Sequence, residues 1–513
     1  MKNYFLKPAF FSLLLLYITF IVSCFSPWKE DEGLLSINFG VSGASDSSRS
    51  FVNLESGEFR NFTNTVILKS TNGNRIERTF SGAAGSVSVP PGVYTVSIKA
   101  SDSSGVRAFG IHNNTVTIRA GQNVSAGLTM YSAVEVTNET EFRAAFELAN
   151  RGSPVGVTGG ETGRHLYILI GRSFVCSGSH IDVNGRVTLV SETDAEINYN
   201  GNSTDAFFQV REDSDLSLGA EYMPGTIILS GNKNNTSLFN IAGGILRMYE
   251  GITIQDCGFL AISINVNGIF NLFGGRITGN NGVNPGGGGV NVGSGGTFNM
   301  YNGRISDNST IGSGGGVFVG GGTFNMYGGI ITENRATGGG GVTVAYSATF
   351  NMYGGTISFN IADGSGGGIH ISGDDSILNL HDGSIFSNIS GANTPGSGGG
   401  INMYGGTVIM SGGIISRNNT NNGGGVNLSG GTFEMQGGEI SGNSAVNNGG
   451  GVWVGGTTGI FNMNGGIIYG MDASISLRNT AGQNSAALFV DTHGTANVFD
   501  SSFSDSTDTT LSR

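Results

Sequence analysis

The densest grouping of side chains able to move a proton or hold a metal is His370, Asp374, Asp375, His381 and Asp382. Polysaccharide cleavage on a β-scaffold needs carboxylates clustered on one sheet, as Ca²⁺ ligands or as general acid and base. Here His370 takes an outward strand position, and Asp374 and Asp375 fall in the next turn. His381 stands where other repeats carry Tyr301, Tyr327 and Tyr353, and Asp382 replaces the first Gly of a pair. All five lie within one repeat, with no carboxylate at the equivalent place before or after it. The spacing predicts a decorated surface turn, and no catalytic residue is assigned. Asp491 and His493 form a second isolated pair with the same reading. The runs Gly286–Gly289 and Gly338–Gly341 lack the Lys-Ser/Thr and following helix of a phosphate loop. They also lack the Asp of Ca²⁺-binding nonapeptide repeats. No Cys-x-x-Cys or paired-His spacing occurs, so no metal and no cofactor is assigned.

A binding surface is legible as a stripe. If Gly-Gly-Gly-Val-x-Val is a strand, its outward residue in successive repeats is Asn291, Phe318, Thr343, His370, Asn402, Asn427 and Trp453. Exposed Phe318 and Trp453 on a polar sheet would stack on sugars or anchor a partner. The competing reading packs them against a neighbouring loop.

These positions belong to a repeat. Ile-x-x-Asn occurs seven times, ending at Asn280, Asn308, Asn334, Asn360, Asn388, Asn418 and Asn443, with spacings of 28, 26, 26, 28, 30 and 25 residues. A full unit reads Gly-Gly-Gly-Val-x-Val, Gly-Gly-Thr-Phe-Asn-Met, Tyr-Gly-Gly-x-Ile-x-x-Asn, as in 314–334 and 423–443. Three apolar runs of period two separated by glycines predict three short strands and three turns per unit. That is one coil of a right-handed parallel β-helix, a pectate-lyase-like solenoid of about twelve coils over 160–505. At the usual inter-strand spacing it would be about 55 Å long. Equivalent residues would stack: Val317, Val342, Ile369, Ile401, Val426 and Val452; Phe298, Phe324, Phe350, Phe433 and Phe461; and Met300, Met326, Met352, Met410, Met435 and Met463. The Asn residues would form a structural ladder, with Cys257 at the Asn place of an earlier, degenerate coil. Residues 134–152 predict a capping helix: Thr137 or Asn138 as its cap, Glu139 and Glu141 in its first turn, and Phe142, Ala145, Phe146 and Ala149 on one face. No comparable cap is expected at the other end, where 506–513 reads as a polar tail, and either a partner or a missing segment is expected to cover that end.

Before the solenoid, residues 34–131 predict a small β-sandwich of about seven strands: Leu34–Phe39, Thr65–Lys69, Ile76–Phe80, Ser86–Val89, Val93–Lys99, Thr115–Arg119 and Ser125–Met130. The fold class is therefore all-β. The chain has 90 Gly but only 8 Pro among 513 residues, which excludes collagen, and 38% apolar content argues against disorder. Lys2 and Lys7 precede an apolar run, Ala9–Val22, too short to persuade as a membrane span. Loss of a leader over 1–23 takes the formal charge from −12 to −14. That acidity opposes nonspecific nucleic-acid binding. Cys176 and Cys257 fall about three coils apart, beyond disulfide reach.

Three resemblances add expectations. Ile21-Val22-Ser23-Cys24 resembles a bacterial lipobox, which implies lipidation of Cys24, a lipidated linker over 24–33 and stable membrane anchoring. The run from Val89 to Ile98 resembles prealbumin-like or carboxypeptidase-regulatory-like modules, which implies a spacer. The alternation of Ile-x-x-Asn with Gly-Gly-Gly-Val/Ile is similar to the Phe-x-x-Asn and Gly-Gly-Ala-Ile repeats of chlamydial-type polymorphic outer-membrane proteins. It looks closer still to glycine-rich β-helix lipoproteins of Treponema-like spirochaetes. This likeness covers roughly 240–500, with Ile for Phe, Gly for Ala, and no autotransporter barrel. It implies display at the bacterial outer membrane or cell surface and non-enzymatic adhesion to host matrix or glycans. The groupings that mark polygalacturonases are absent, leaving a polysaccharide lyase or glycoside hydrolase of the β-helix class as runner-up. A purely structural envelope protein is the third reading.

Overall fold

The computed structural model describes residues 33–41, 62–151, 165–498 and 509–511, apart from 83, 202–204, 232, 234–236, 283–285, 394, 471–472 and 484–485. The leader, Cys24 and Phe499 lie outside the described residues. The chain divides into two compact units, 1–131 and 132–513.

The first unit is a two-sheet sandwich of eight strands: β1 Gly33–Val41, β2 Thr63–Ser70, β3 Arg75–Ser81, β4 Ala84–Val89, β5 Gly92–Asp102, β6 Gly105–Ile111, β7 Val116–Ile118 and β8 Asn123–Val136. One sheet sets β1 antiparallel to β4 and parallel to β8. The other pairs β2 with β3 and β5, and β5 with β6 and β7, all antiparallel. Period-two alternation places Leu35, Ile37, Val66, Leu68, Val96 and Ile98 in one shared core. The sequence expectation missed β6, whose Gly-Val-Arg-Ala-Phe-Gly-Ile pattern is broken by two glycines. Pro90–Gly92 forms the expected bend, held by the Tyr94 hydroxyl donating to the Pro90 carbonyl at 3.0 Å.

The second unit is a parallel β-solenoid. The Val-x-Val strands and the Thr-Phe-Asn-Met strands stack as two rows of one sheet, and they fuse into single long strands at Ile401–Met410, Val426–Met435 and Val452–Met463. The Ile strands stack as a separate 12-stranded sheet. A third sheet of eight strands departs from expectation. It lies just past each Asn, for example Ser309–Thr310 and Arg335–Gly338, where the sequence reads as a turn. These segments are too short and too polar to show periodicity. Stacking on the coils before and after makes them strands.

The expected stacks are in register. Val317, Val342, Ile369, Ile401, Val426 and Val452 follow one another, all fully buried. The Phe stack is continuous because Leu378 and Val408 fill the two coils that lack Phe. Phe298, Phe324 and Phe350 lie 4.7 and 4.6 Å apart by ring centroid. The triple glycines are steric: a Cβ on Gly315 would collide with the Gly340 carbonyl of the next coil.

Helix α1, Glu139–Arg151, plugs the first coil. The Glu141 amide donates to Asn138 Oδ1 at 3.0 Å, making Asn138 the cap residue, while Glu141 accepts from the Thr137 amide. Phe142 and Phe146 are buried against Phe174 and Phe208. At the other end the expected polar tail is strand instead: Thr509–Leu511 pairs in parallel with Leu488–Val490. No helix among the described residues is long and apolar enough to cross a membrane.

Candidate functional site: an exposed aromatic ladder

The outward stripe is not the open surface its spacing predicts. Thr343, Asn402 and Asn427 are buried, and Asn291, Phe318, His370 and Trp453 are half-buried. The cause is the residue two places on. Phe318 and Trp453 each precede a glycine on the same face, Gly320 and Gly455, and each ring folds down onto it. A Cβ on Gly320 would come within 2.6 Å of the Phe318 ring. The packing is on the strand's own glycine rather than on a neighbouring loop, with Phe318 also meeting the Tyr346 ring of the next coil edge-on.

Within the stripe, His370, Asn402 and Asn427 are in register. Asn427 Nδ2 donates to Asn402 Oδ1 at 2.8 Å, and Asn402 Nδ2 to His370 Nδ1 at 3.1 Å. Burial pushes the His370 imidazole down to about 4. It is therefore a neutral acceptor ending a short amide chain, not the exposed proton donor its position suggested. Asp374 and Asp375 are exposed in the next turn. His381 contacts Ser411, and Asp382 accepts from the Gly383 amide. The five residues make no joint site. Asp491 accepts from Thr492, beside His493. Among the described residues no group of three or more His, Cys, Asp or Glu is placed to hold a metal.

The structural Asn ladder runs inside the solenoid and is one residue longer than the sequence indicates. Asn280, Asn308, Asn334, Asn360, Asn388, Asn418 and Asn443 each donate through Nδ2 to the next Asn Oδ1 at 2.8–3.0 Å, ending on Asn479. Each next Oδ1 also accepts the backbone amide. Asn479 was hidden because residues 469–478 separate it from Ile468. The Cys257 amide donates to Asn280 Oδ1, so Cys257 holds the preceding rung. The left-handed residue is not the Asn but the one before it, as at Asp307, Glu333 and Ser387. Cys176 and Cys257 are free and buried, and burial drives both thiols up, Cys176 to about 12.

The exposed chemistry lies elsewhere, at the turn leaving each Thr-Phe-Asn-Met strand. Tyr249, Phe273, Tyr301, Tyr327, Tyr353 and His381 stack in one continuous column over six coils, with centroids 4.8–5.1 Å apart and interplanar angles of 2–22°. Phe273, Tyr301, Tyr327 and Tyr353 are 37–46% exposed, so the column faces solvent. The turn is fixed by the second Gly of Tyr-Gly-Gly, with φ of +85° at Gly329 and +88° at Gly355. Beside the column runs a second amide ladder, Asn271, Asn299, Asn325, Asn351 and Asn379, linked at 2.8–2.9 Å. Sequence reasoning used the repeated Tyr only to mark register. Its recurrence directly after each Phe-Asn-Met run, at Tyr301, Tyr327 and Tyr353, was the available signal.

A charged grouping was also missed. His180 lies 3.5 Å from both Asp182 and Asp205, and Arg211 lies 2.7 Å from Asp182. These early coils lack the glycine motif, so their register was not legible. No known family, no curated protein and no solved structure matches this chain.

Proposed function

We propose that this chain is a non-enzymatic, lipid-anchored bacterial surface protein whose β-solenoid is an adhesion surface for glycans or host matrix. The observation that carries the reading is the aromatic column. Exposed stacked rings beside a row of side-chain amides form a surface suited to ligand binding, and large exposed aromatics are where recognition energy concentrates. The lipobox-like Ile21-Val22-Ser23-Cys24 supports anchoring through Cys24 at the outer membrane or cell surface.

The enzyme reading retains one specific support, the two carboxylates flanking His180. Both are well exposed and Asp182 is tied to Arg211, an arrangement equally suited to a surface ion-pair network.

The test has two parts. Cells fed labelled palmitate should label the wild-type chain and not Cys24→Ser. The full-length protein in detergent should bind a defined subset of an array of glycans and matrix proteins. An unlabelled wild type refutes the anchor, and a silent array refutes adhesion.

A further inference from the structure

We infer that the aromatic column is the seat of an extended, uncharged β-1,4-linked glycan of gluco configuration, lying parallel to the solenoid axis with one sugar per coil. The inference rests on the adhesion reading and names its ligand class.

Three features select this occupant. The first is spacing. The rings repeat every 4.8–5.1 Å along the axis. An extended β-1,4 chain advances by nearly that length per sugar, so contacts stay in phase over the whole column. A curved α-1,4 chain falls out of phase after a few units.

The second feature is ring presentation. Carbon atoms in contact sit about 3.5–4.0 Å apart. Nearly parallel rings 5.0 Å apart by centroid, as in Tyr301 and Tyr327, touch only if they are slipped. The 37–46% exposure of Phe273, Tyr301, Tyr327 and Tyr353 leaves part of each ring open to a ligand. A gluco-configured β-linked sugar carries axial C–H groups on both faces. The half-turn between successive sugars therefore leaves an apolar face toward every ring.

The third feature is polarity. The row Asn299, Asn325 and Asn351 borders the column, and the row Thr297, Thr323 and Thr349 lies beyond it on the same face, each in register. From Phe273 to His381 no carboxylate or cationic side chain stands in these rows, in a chain of net charge −12; beside Tyr249 the Asn place is taken by Arg247, paired with Asp215. The amide ladder uses one Nδ2 proton of each Asn along the row, and an amide has two. The second donor and the Thr hydroxyls suit equatorial hydroxyls. Over those five coils the two rows offer no cation with which to select a polyanionic glycan or a nucleic acid.

The experiment is calorimetric titration of the full-length protein in detergent. The probes are cello- and N-acetylchito-oligosaccharides from disaccharide to octasaccharide, malto-oligosaccharides of equal length, and heparin. Affinity for one or both β-1,4 series should rise with each sugar and level off near the hexasaccharide, one sugar per ring of the six-ring column. The preferred series tells whether the N-acetyl group is read. Tyr301→Ala/Tyr327→Ala/Tyr353→Ala should weaken binding at least about tenfold, the order expected for losing anchoring rings. The corresponding triple Phe variant, which keeps the rings, should retain most of the affinity and controls for folding. Length-independent binding, equal binding of the malto series, or unchanged affinity of the triple Ala variant would overturn the inference. So would a sedimentation result in which the rings join two copies of the chain. If the array registers a protein or heparin while the β-1,4 series is silent, adhesion stands and this inference fails. If nothing binds anywhere, both fail.

Discussion

At the residue scale, the buried asparagines and half-buried histidines of the solenoid carry sharp consequences. Asn360 Nδ2 donates to Asn388 and to the Ile331 carbonyl, while its Oδ1 accepts from Asn334. Asn360→Ala strands several buried groups at about 1–3 kcal/mol each, so a loss on the order of 3 kcal/mol is expected from urea unfolding. His370 has a different signature. Its folded-state pKa of about 4 lies below the ordinary 6.5, so the unfolded chain takes up the proton first. The stability from neutral His370 is complete above about 6.5 and is lost as pH falls toward 4, at up to about 1.4 kcal/mol per pH unit. Burial, and next Arg186, push His165 down to about 4 as well, which adds to the same acid loss. His370→Asn substitutes the residue found at 402 and 427 and should flatten the acid limb of a melting-temperature series. The periodicity placed His370 correctly in register but not in environment, because a stripe is outward only relative to its own strand. What covers it comes from the adjacent turn and coil.

At the element scale, the capping helix joins local signals to tertiary packing. Burial opposes ionisation of Glu139, but the Ser177 amide, Arg143 and the Gly178 amide outweigh it and hold the carboxyl down at about 2. The lowered value means stability that is present above the ordinary 4.5 and lost as pH falls toward 2. Glu139→Gln should therefore loosen the cap at neutral pH by roughly 1–3 kcal/mol. That difference should vanish in acid, followed by hydrogen exchange of Glu139–Arg151. The cap was readable from Asn138, the first-turn acids and the Phe142/Phe146 face because those signals are local. The eight-stranded corner sheet was not, since segments such as Ser309–Thr310 are strands only by virtue of their neighbours. Asn479 escaped for a related reason: an insertion leaves the ladder intact in space and breaks it in sequence.

At the scale of the whole molecule, a repeat written in sequence becomes a column in space, and the chemistry of each column follows from which way it faces. Inward columns of Val, Phe and Met make the core, and the buried Asn column satisfies the corners. The outward aromatic column has no such structural necessity, since Ser411 and Gln436 take its place in later coils without loss of register. That is the strongest ground for assigning it to binding. The fold class was legible from the repeat; the proposed binding face was not, because exposure depends on the glycine two residues along as much as on alternation. The most direct measurement is array binding of the full-length protein beside Tyr301→Ala/Tyr327→Ala/Tyr353→Ala and beside Phe318→Ala/Trp453→Ala. The expected result is loss of binding in the tyrosine variant and retention in the other, which loses only packing. Retained binding by the tyrosine variant, with loss in Phe318→Ala/Trp453→Ala, would contradict it.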